Sequence, residues 1–244
     1  MDLQAIAASW GSKQPAARAV LLFGSRSRGD WTIESDIDLA VACDAQTRDE
    51  LAALKGTLER QCPDERVSLS VYSTRTLERM AAEGSLFLWH LKLEGRPLWE
   101  RGIWWTTLAR AISDYSATRA TRDITTFLTV LGDCERALNH DDSTLLFEAA
   151  TTFAALRGIG MIRGMLEGQP CFSRAAAWRA LAPPSDKNPG LSPSDLTRLL
   201  KAKLVYSGKG HGEVEGLERE WCSTVVKAAR RGVRHVRQTL LSPS

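Results

Sequence analysis

The chain of 244 residues is long enough for one large domain or two small ones, and length alone does not decide between them. Its composition, 43% hydrophobic and 25% charged, is that of an ordinary globular protein and excludes a collagen-like chain, a coiled coil and a disordered chain. The net charge of +3 is too small to indicate nucleic-acid binding by itself.

The N-terminus and the cysteines predict a compartment. Asp2 is acidic, whereas a signal peptide begins with basic residues. A helix needs about 20 apolar residues to span a bilayer, and no apolar run in the sequence approaches that length. We therefore expect a cytoplasmic protein without a membrane partner. The cysteine count is odd and no pair has CxxC spacing, which predicts reduced thiols and no zinc site for Cys43, Cys62, Cys134, Cys171 and Cys222.

The first hundred residues alternate between helix and strand patterns. Helical spacing, with a capping box formed by Thr47 and Glu50, predicts helices at 2–10, 47–61, 74–83 and 85–94. Apolar or alternating runs predict strands at 19–23, 37–42, 67–72 and 97–99. Between the first two strands, residues 24–35 are rich in Gly, Ser, Arg and Asp, which indicates a loop or a short helix.

From about residue 105 the pattern becomes helical throughout. Long 3.6-residue periods predict helices at 106–140, 143–168, 195–206 and 217–240, and four prolines predict a loop at 182–194. This change predicts two domains, residues 1–105 and residues 106–244. The fold class is α+β, with a small sheet and helices in the first domain and an all-α second domain.

The segment around the first two strands carries the chemistry. Gly24 directly follows a strand and lets the backbone turn with exposed amides, and Ser25 adds a hydroxyl, as in loops that hold phosphate. Asp36 and Asp38 are two residues apart on the next strand, so they share one face of the sheet. Carboxylates kept side by side are typical of a divalent-cation site, and their oxygens suit Mg²⁺. A phosphate loop beside metal carboxylates indicates phosphoryl or nucleotidyl transfer.

The eighteen-residue segment GSRSRGDWTIESDIDLAV, residues 24–41, resembles the signature of the DNA polymerase beta-like nucleotidyltransferase superfamily. Its nearest match is to the minimal nucleotidyltransferases, and the compatible order of strands and helices extends over residues 1–100. The resemblance implies a small mixed sheet and the attack of an acceptor hydroxyl on the α-phosphorus of a nucleoside triphosphate, with pyrophosphate leaving. It also implies that Gly24 and Ser25 hold the β- and γ-phosphates, and that Asp36 and Asp38 hold the catalytic Mg²⁺ or Mn²⁺ ions.

Two arginines of this segment are not fixed by the signature. Arg26 and Arg28 either neutralise triphosphate charge, for which guanidinium groups are suited, or are solvated side chains of the loop.

The third strand departs from the family pattern. The family places a third metal carboxylate on a strand that corresponds to residues 67–72, and at the expected position this chain has Ser70. Asp64 and Glu65 precede that strand and would need a shift of register to reach the metals. Three alternatives follow: catalysis with two carboxylates, a carboxylate from the helical domain, or nucleotide binding without turnover, as in a regulatory toxin–antitoxin component. Candidates for the second alternative are Asp123, Asp133 and Glu135.

The end of the chain is basic. Residues 198–244 carry ten basic and four acidic side chains, a net charge of +6. At 100° per residue, one side of the last predicted helix gathers four cations, Lys227, Arg230, Arg231 and Arg234. They form either a solvated face or a surface for phosphates of the nucleotide, of RNA or of an acidic partner protein.

The helical domain has two further interpretations by resemblance. In minimal nucleotidyltransferases a helical domain or partner closes over the nucleotide and carries the acceptor, which here is unidentified. Arg230 and His235 also match the Arg-x4-His spacing of HEPN ribonucleases.

Overall fold

The structure, a computed structural model, describes residues 2–32, 35–62, 64, 66–140, 145–181, 190–208, 210 and 212–241. The chain divides into two compact units, Met1–Asp114 and Tyr115–Ser244.

The first unit alternates helices and strands. In chain order its elements are α1 (Leu3–Lys13), β1 (Ala17–Phe23), α2 (Ser25–Arg28), β2 (Ile37–Cys43), α3 (Arg48–Gln61), β3 (Val67–Ser73), α4 (Thr74–Ala82), α5 (Leu86–Glu94), β4 (Arg96–Glu100) and α6 (Trp104–Arg110). The strands and helices predicted for the first hundred residues are present, and their ends differ from the prediction by at most three residues. The predicted capping box is also confirmed, since Thr47 Oγ1 accepts from the Glu50 amide and the Glu50 carboxylate accepts from the Thr47 amide.

The four strands form one mixed sheet in the order β3-β2-β1-β4. β1 is antiparallel to both β2 and β4, whereas β2 and β3 are parallel. This arrangement confirms the predicted small mixed sheet. In the register, Asp38 on β2 lies between Phe23 on β1 and Ser68 on β3.

Both faces of the sheet are covered by apolar side chains. On one face Ile37, Leu39 and Val41 of β2 pack with α1 and α3 around the fully buried Trp10. On the other face Ala40 and Ala42 of β2 pack with residues of α4, α5 and α6. Because side chains alternate along a strand, Asp38 belongs to the second face, at the end of β2 where this packing gives way to solvent.

The second unit consists of helices among the residues that the structure describes: α7 (Ala117–Ala137), α8 (Leu145–Leu166), α9 (Ala176–Leu181), α10 (Pro193–Tyr206) and α11 (Arg219–Leu241). The described helices confirm the predicted all-α class. α8 packs against all four of the others and forms the centre of the unit. Most of the predicted proline loop, residues 182–189, lies outside the described residues.

α8 is long and apolar, although we expected no apolar run near the length of a membrane span. By length and mean hydropathy, 1.4 in its most apolar window, it is the one described helix that could cross a membrane. However, 61% of that window is buried within the second unit, which is the behaviour of a core helix.

The predicted helix 106–140 is two helices. α6 ends at Arg110, and α7 begins after Ser116, whose side chain accepts from the Arg119 amide as a helix cap. Between them, Ile112 is buried in the core of the first unit. Because α6 and Ile112 pack there, the first unit extends nine residues beyond the predicted boundary at residue 105.

Candidate active site

The turn after β1 is built around Gly24. Its backbone has φ 72° and ψ −155°, a conformation that side chains with a Cβ avoid, and it precedes the short helix α2. A Cβ placed at this position would come within 2.5 Å of Asp38 Oδ2. The turn therefore requires glycine for two reasons, and the Asp38 carboxylate lies directly against the start of α2.

Asp36 directly precedes β2, and Asp38 is its second residue. Both are partly exposed, whereas the intervening Ile37 and the following Leu39 are buried, a pattern that is consistent with two carboxylates on the open face. Paired carboxylate oxygens beside exposed backbone amides have the donor chemistry that Mg²⁺ and a polyphosphate require. No group of three or more His, Cys, Asp or Glu side chains is arranged for a metal ion among the described residues.

The neighbouring strand contributes hydroxyl groups to this face. Ser68 lies beside Asp38, and Ser70, which we expected at the position of a third carboxylate, lies beside Ala40. Asp64 is held by the Arg66 guanidinium at 2.7 and 2.9 Å, and this bond keeps the pKa of Asp64 below its usual value. Glu65 lies outside the described residues. The described part of this face thus has two carboxylates where the family pattern has three.

A family comparison covers this part of the chain. Residues 8–88 match the model of the polymerase beta nucleotidyltransferase family. These residues are a nucleotidyltransferase domain. The match extends from α1 into α5 and includes Gly24, Asp36 and Asp38. No curated protein matches the chain.

Three solved structures are similar to the chain at low identity. A toxin–antitoxin crystallised with AMP-PNP is 24% identical, over 49% of this chain and 92% of its own, with a TM-score of 0.37. A mutant of the toxin–antitoxin MntA-HpeT is 22% identical, over 46% and 84%, with a TM-score of 0.33. A nucleotidyltransferase-like protein from Exiguobacterium sibiricum is 14% identical, over 97% and 73%, with a TM-score of 0.32.

In the nucleotidyltransferase domain, Arg28 is held by two carboxylates. Its guanidinium donates to Glu94 Oε2 at 2.6 Å and to Asp30 Oδ2 at 3.2 Å. Burial alone would lower the pKa of Arg28, but the bonds from Glu94 and Asp30 outweigh burial and raise it. Arg28 is therefore part of an ion-pair network rather than a solvated side chain of the loop.

Glu94 joins that network to α5. Its carboxylate also bonds the buried His90 ring at 2.9 Å, and its backbone oxygen accepts from the Ser27 hydroxyl at 2.5 Å. Burial acts to raise the pKa of Glu94, yet the bonds from His90 and Arg28 leave it below its usual value. The sequence shows the i, i+4 spacing of His90 and Glu94, but nothing in it indicates a contact with residues 66 positions earlier.

Arg26, the other arginine of α2, has a different environment. Its Cζ lies 3.9 Å from the centroid of the Trp31 ring, and Nη2 donates to the Ser35 backbone oxygen at 3.5 Å. Trp31 and Ser35 were not predicted as functional residues, although both lie within the segment that carries the signature.

The basic residues of α11 lie in the second unit. Lys227, Arg231 and Arg234 are exposed, as expected for one helix side. Arg230 instead donates to Glu135 of α7 at 2.7 Å. Helical spacing places these four residues on one side of α11, but the bond to Glu135 distinguishes Arg230 from the other three.

The carboxylates that we considered as replacements for the missing one form ion pairs within the second unit. Glu135 pairs with Arg230, and Asp133 pairs with Arg136. Asp123 pairs with Arg119 at 3.1 Å and accepts from the Tyr115 hydroxyl at 3.0 Å. All three carboxylates thus have cationic partners within the second unit, although the pair of Asp133 with Arg136 is largely exposed and contributes little stability.

Proposed function

We propose that this protein transfers a nucleoside monophosphate from a nucleoside triphosphate to an acceptor hydroxyl, with release of pyrophosphate. One observation carries the proposal: the Asp38 carboxylate occupies the space that a side chain at Gly24 would need. The phosphate-binding turn and the carboxylate pair are thus parts of one site within a nucleotidyltransferase domain.

Asp36 and Asp38 are the residues that would hold Mg²⁺ or Mn²⁺. A divalent ion bound there would neutralise charge on the triphosphate and on the leaving pyrophosphate. The chain itself contributes two carboxylates on the open face of β2, and their fit to the ion follows from the oxygen donors and the shared face.

The turn into α2 binds the rest of the triphosphate in this proposal. Without side chains over Gly24, the amides at the start of α2 are accessible to the β- and γ-phosphates, and Ser25 supplies a hydroxyl. Arg28 keeps a positive charge beside this turn, although its donors are bonded to Glu94 and Asp30. The guanidinium of Arg26 adds a second charge on the same helix turn.

A second function is favoured by the hydroxyl face of β3. With Ser68 and Ser70 on β3, the described residues of this face provide no third carboxylate to accept the proton of the acceptor hydroxyl. A domain of this kind could bind a nucleotide without turnover and act as a regulatory module, such as a toxin–antitoxin component.

The acceptor class is a small molecule, a protein or an RNA. The exposed cations Lys227, Arg231 and Arg234 are the proposed contacts for an RNA or an acidic partner protein.

We place the reaction in the cytoplasm, where nucleoside triphosphates and Mg²⁺ are abundant. The five cysteines are free thiols in the structure, which is compatible with that compartment.

Incubation with each α-labelled nucleoside triphosphate and Mg²⁺ or Mn²⁺ distinguishes the two functions. Transfer predicts a labelled product with the wild-type protein and none with the Asp36→Asn/Asp38→Asn variant. A labelled product from that variant would contradict the assignment of the site. Stoichiometric nucleotide binding, with no product and no pyrophosphate in either metal, would favour the regulatory module.

A further inference from the structure

Trp31 presents an exposed indole beside the phosphate-binding turn. Its side chain is 47% exposed, on the loop that joins α2 to β2. The Arg26 guanidinium covers one face of the ring, with Cζ 3.9 Å from the centroid. The exposed area therefore belongs to the opposite face and the ring edges, where a planar group can stack.

Hydrogen bonds join Thr32 and Ser35, two described residues that follow this indole. The Thr32 amide donates to Ser35 Oγ at 2.8 Å, and the Ser35 amide donates to the Thr32 oxygen at 2.9 Å. Ser35 is only 4% exposed, and its own oxygen accepts from Arg26. The contact with Arg26 and these neighbouring bonds restrict the ring, which lowers the conformational entropy that stacking on it would cost.

The Arg26 guanidinium packs against the Trp31 ring. Arg26 Nε is buried, and it has no hydrogen-bond partner among the described residues. The guanidinium is therefore held by the aromatic ring and by the one bond from Nη2 to the Ser35 oxygen, and its Nε contributes no further hydrogen bond. Arg26 is also the second residue of α2, so the indole is attached to the helix that begins at Gly24.

We propose that Trp31 stacks on the nucleobase of the bound nucleoside triphosphate, and this inference rests on the proposed function. The loop of Trp31 runs from the end of α2 to Asp36, so both of its ends belong to the site. The indole lies against Arg26, two residues after Gly24, so we infer that a nucleotide with its phosphates at this turn can reach the indole with its base. Every base has a π-face, and purines cover the indole best, so the expected preference is for ATP or GTP over UTP.

The test compares ligands with and without a base. We would measure the Kd of ATP, UTP and inorganic tripolyphosphate in Mg²⁺ for the wild-type protein and for Trp31→Ala, Trp31→Phe and Ile103→Ala. Trp31→Ala should raise the Kd of ATP about 5- to 100-fold and leave that of tripolyphosphate unchanged, since one base stack is lost. Trp31→Phe should restore most of the ATP affinity. Ile103→Ala, a change at an exposed apolar residue outside the loop, should alter neither Kd.

Three outcomes would overturn the inference. If Trp31→Ala binds ATP as the wild-type protein does, no base stacks on the indole, and the proposed function stands. If the variant loses ATP and tripolyphosphate equally, Trp31 acts by holding Arg26 near the phosphates and not by contact with the base. If the wild-type protein binds neither ligand, the proposed function fails and this inference fails with it.

Discussion

Among single residues, Gly24 and Asp38 depend on each other, because the Asp38 carboxylate lies where a side chain at position 24 would be. The backbone at Gly24 has a positive φ, and a methyl group there would press on Asp38 Oδ2. Gly29 at the other end of α2 also has a positive φ, 85°, but an added Cβ would meet nothing within 4 Å. Alanine at either position would strain the backbone, but only alanine at Gly24 would also displace the Asp38 carboxylate. Comparing the two substitutions therefore distinguishes the two effects.

We predict that Gly24→Ala abolishes nucleotide binding, whereas Gly29→Ala weakens it only slightly. Both variants should lose stability, roughly 1–2 kcal/mol each, because alanine is strained at a positive φ. Only Gly24→Ala displaces Asp38 as well. Urea unfolding and ATP titration in Mg²⁺ measure the two effects. Equal ATP affinities in the two variants would show that the contact between residues 24 and 38 has no part in binding.

The sequence predicts which residues form the candidate site better than it predicts which residues they contact in the folded chain. The spacing of Gly24, Asp36 and Asp38 follows from local geometry, so the motif places them on one face. Whether Ser68 or Ser70 lies beside Asp38 depends on the register of two strands about thirty residues apart, which local pattern does not encode. The partners of Arg26 and Arg28 were missed because Trp31 and Glu94 meet α2 only in the folded chain.

At the scale of elements, α2 depends on α5. A helix of four residues has little stability of its own, and α2 gains two bonds from Glu94: one from its carboxylate to Arg28 and one from its backbone oxygen to Ser27. The Glu94 side chain is 15% exposed, so its bond to Arg28 is partly shielded from solvent. We therefore regard Glu94 as a residue that positions the turn proposed to bind phosphate.

Glu94→Gln should lower the free energy of unfolding by about 1–2 kcal/mol at pH 7, because a charge-assisted bond to Arg28 becomes neutral. The pKa of Glu94 is lower in the folded protein than its ordinary value, so this stability is present above about pH 4.5 and is lost as the pH falls through the lowered value. Urea unfolding from pH 7 to pH 3 should thus show the wild-type and variant curves converging in acid.

The matched control is Glu78→Gln, a change at an exposed carboxylate on α4, which should stay within about 0.5 kcal/mol of wild type at each pH. A positioning role further predicts that Glu94→Gln raises the KM for the nucleotide more than it lowers kcat. A constant gap between the Glu94→Gln and wild-type stabilities down to pH 3 would count against the carboxylate as the source of the effect.

Elements with strong local signals were predicted well, and those decided by packing were not. Alternating and apolar runs placed the four strands, and Thr47 with Glu50 marked the start of α3. The continuous 3.6-residue pattern after residue 105 concealed the break at 111–116, because Ile112 is apolar in either case. α6 packs in the core of the first unit, whereas α7 packs with the helices of the second. The periodicity of apolar residues does not indicate which core a helix packs in.

At the scale of the whole molecule, the chain consists of two units with separate cores, and α6 belongs to the first. Trp105, Leu108 and Ile112 are at most 7% exposed and pack with residues of β1 and α5. The 3.6-residue periodicity after residue 105 predicted the change from mixed to helical structure. It did not predict that the first helix after the change completes the sheet domain.

Fragments that end on either side of α6 test this division. We predict that residues 1–114 unfold cooperatively in urea, whereas residues 1–103 have a much lower midpoint or do not fold. The loss of three buried apolar side chains removes about 1.5–3 kcal/mol each from a domain of ordinary stability. Equal urea midpoints for the two fragments would show that α6 contributes nothing to the first unit.

We infer that Asp36, Asp38 and the turn at Gly24 form one metal-dependent site for nucleotidyl transfer. The decisive measurement is pyrophosphate release from nucleoside triphosphates in Mg²⁺, with Asp38→Asn compared with Asp49→Asn, a change at an exposed aspartate of α3. We expect the wild-type protein and Asp49→Asn to release pyrophosphate at similar rates. Asp38→Asn should be at least about 100-fold slower, because electrostatic stabilisation of the transition state is removed. Release by Asp38→Asn at the wild-type rate would show that Asp38 has no part in the reaction.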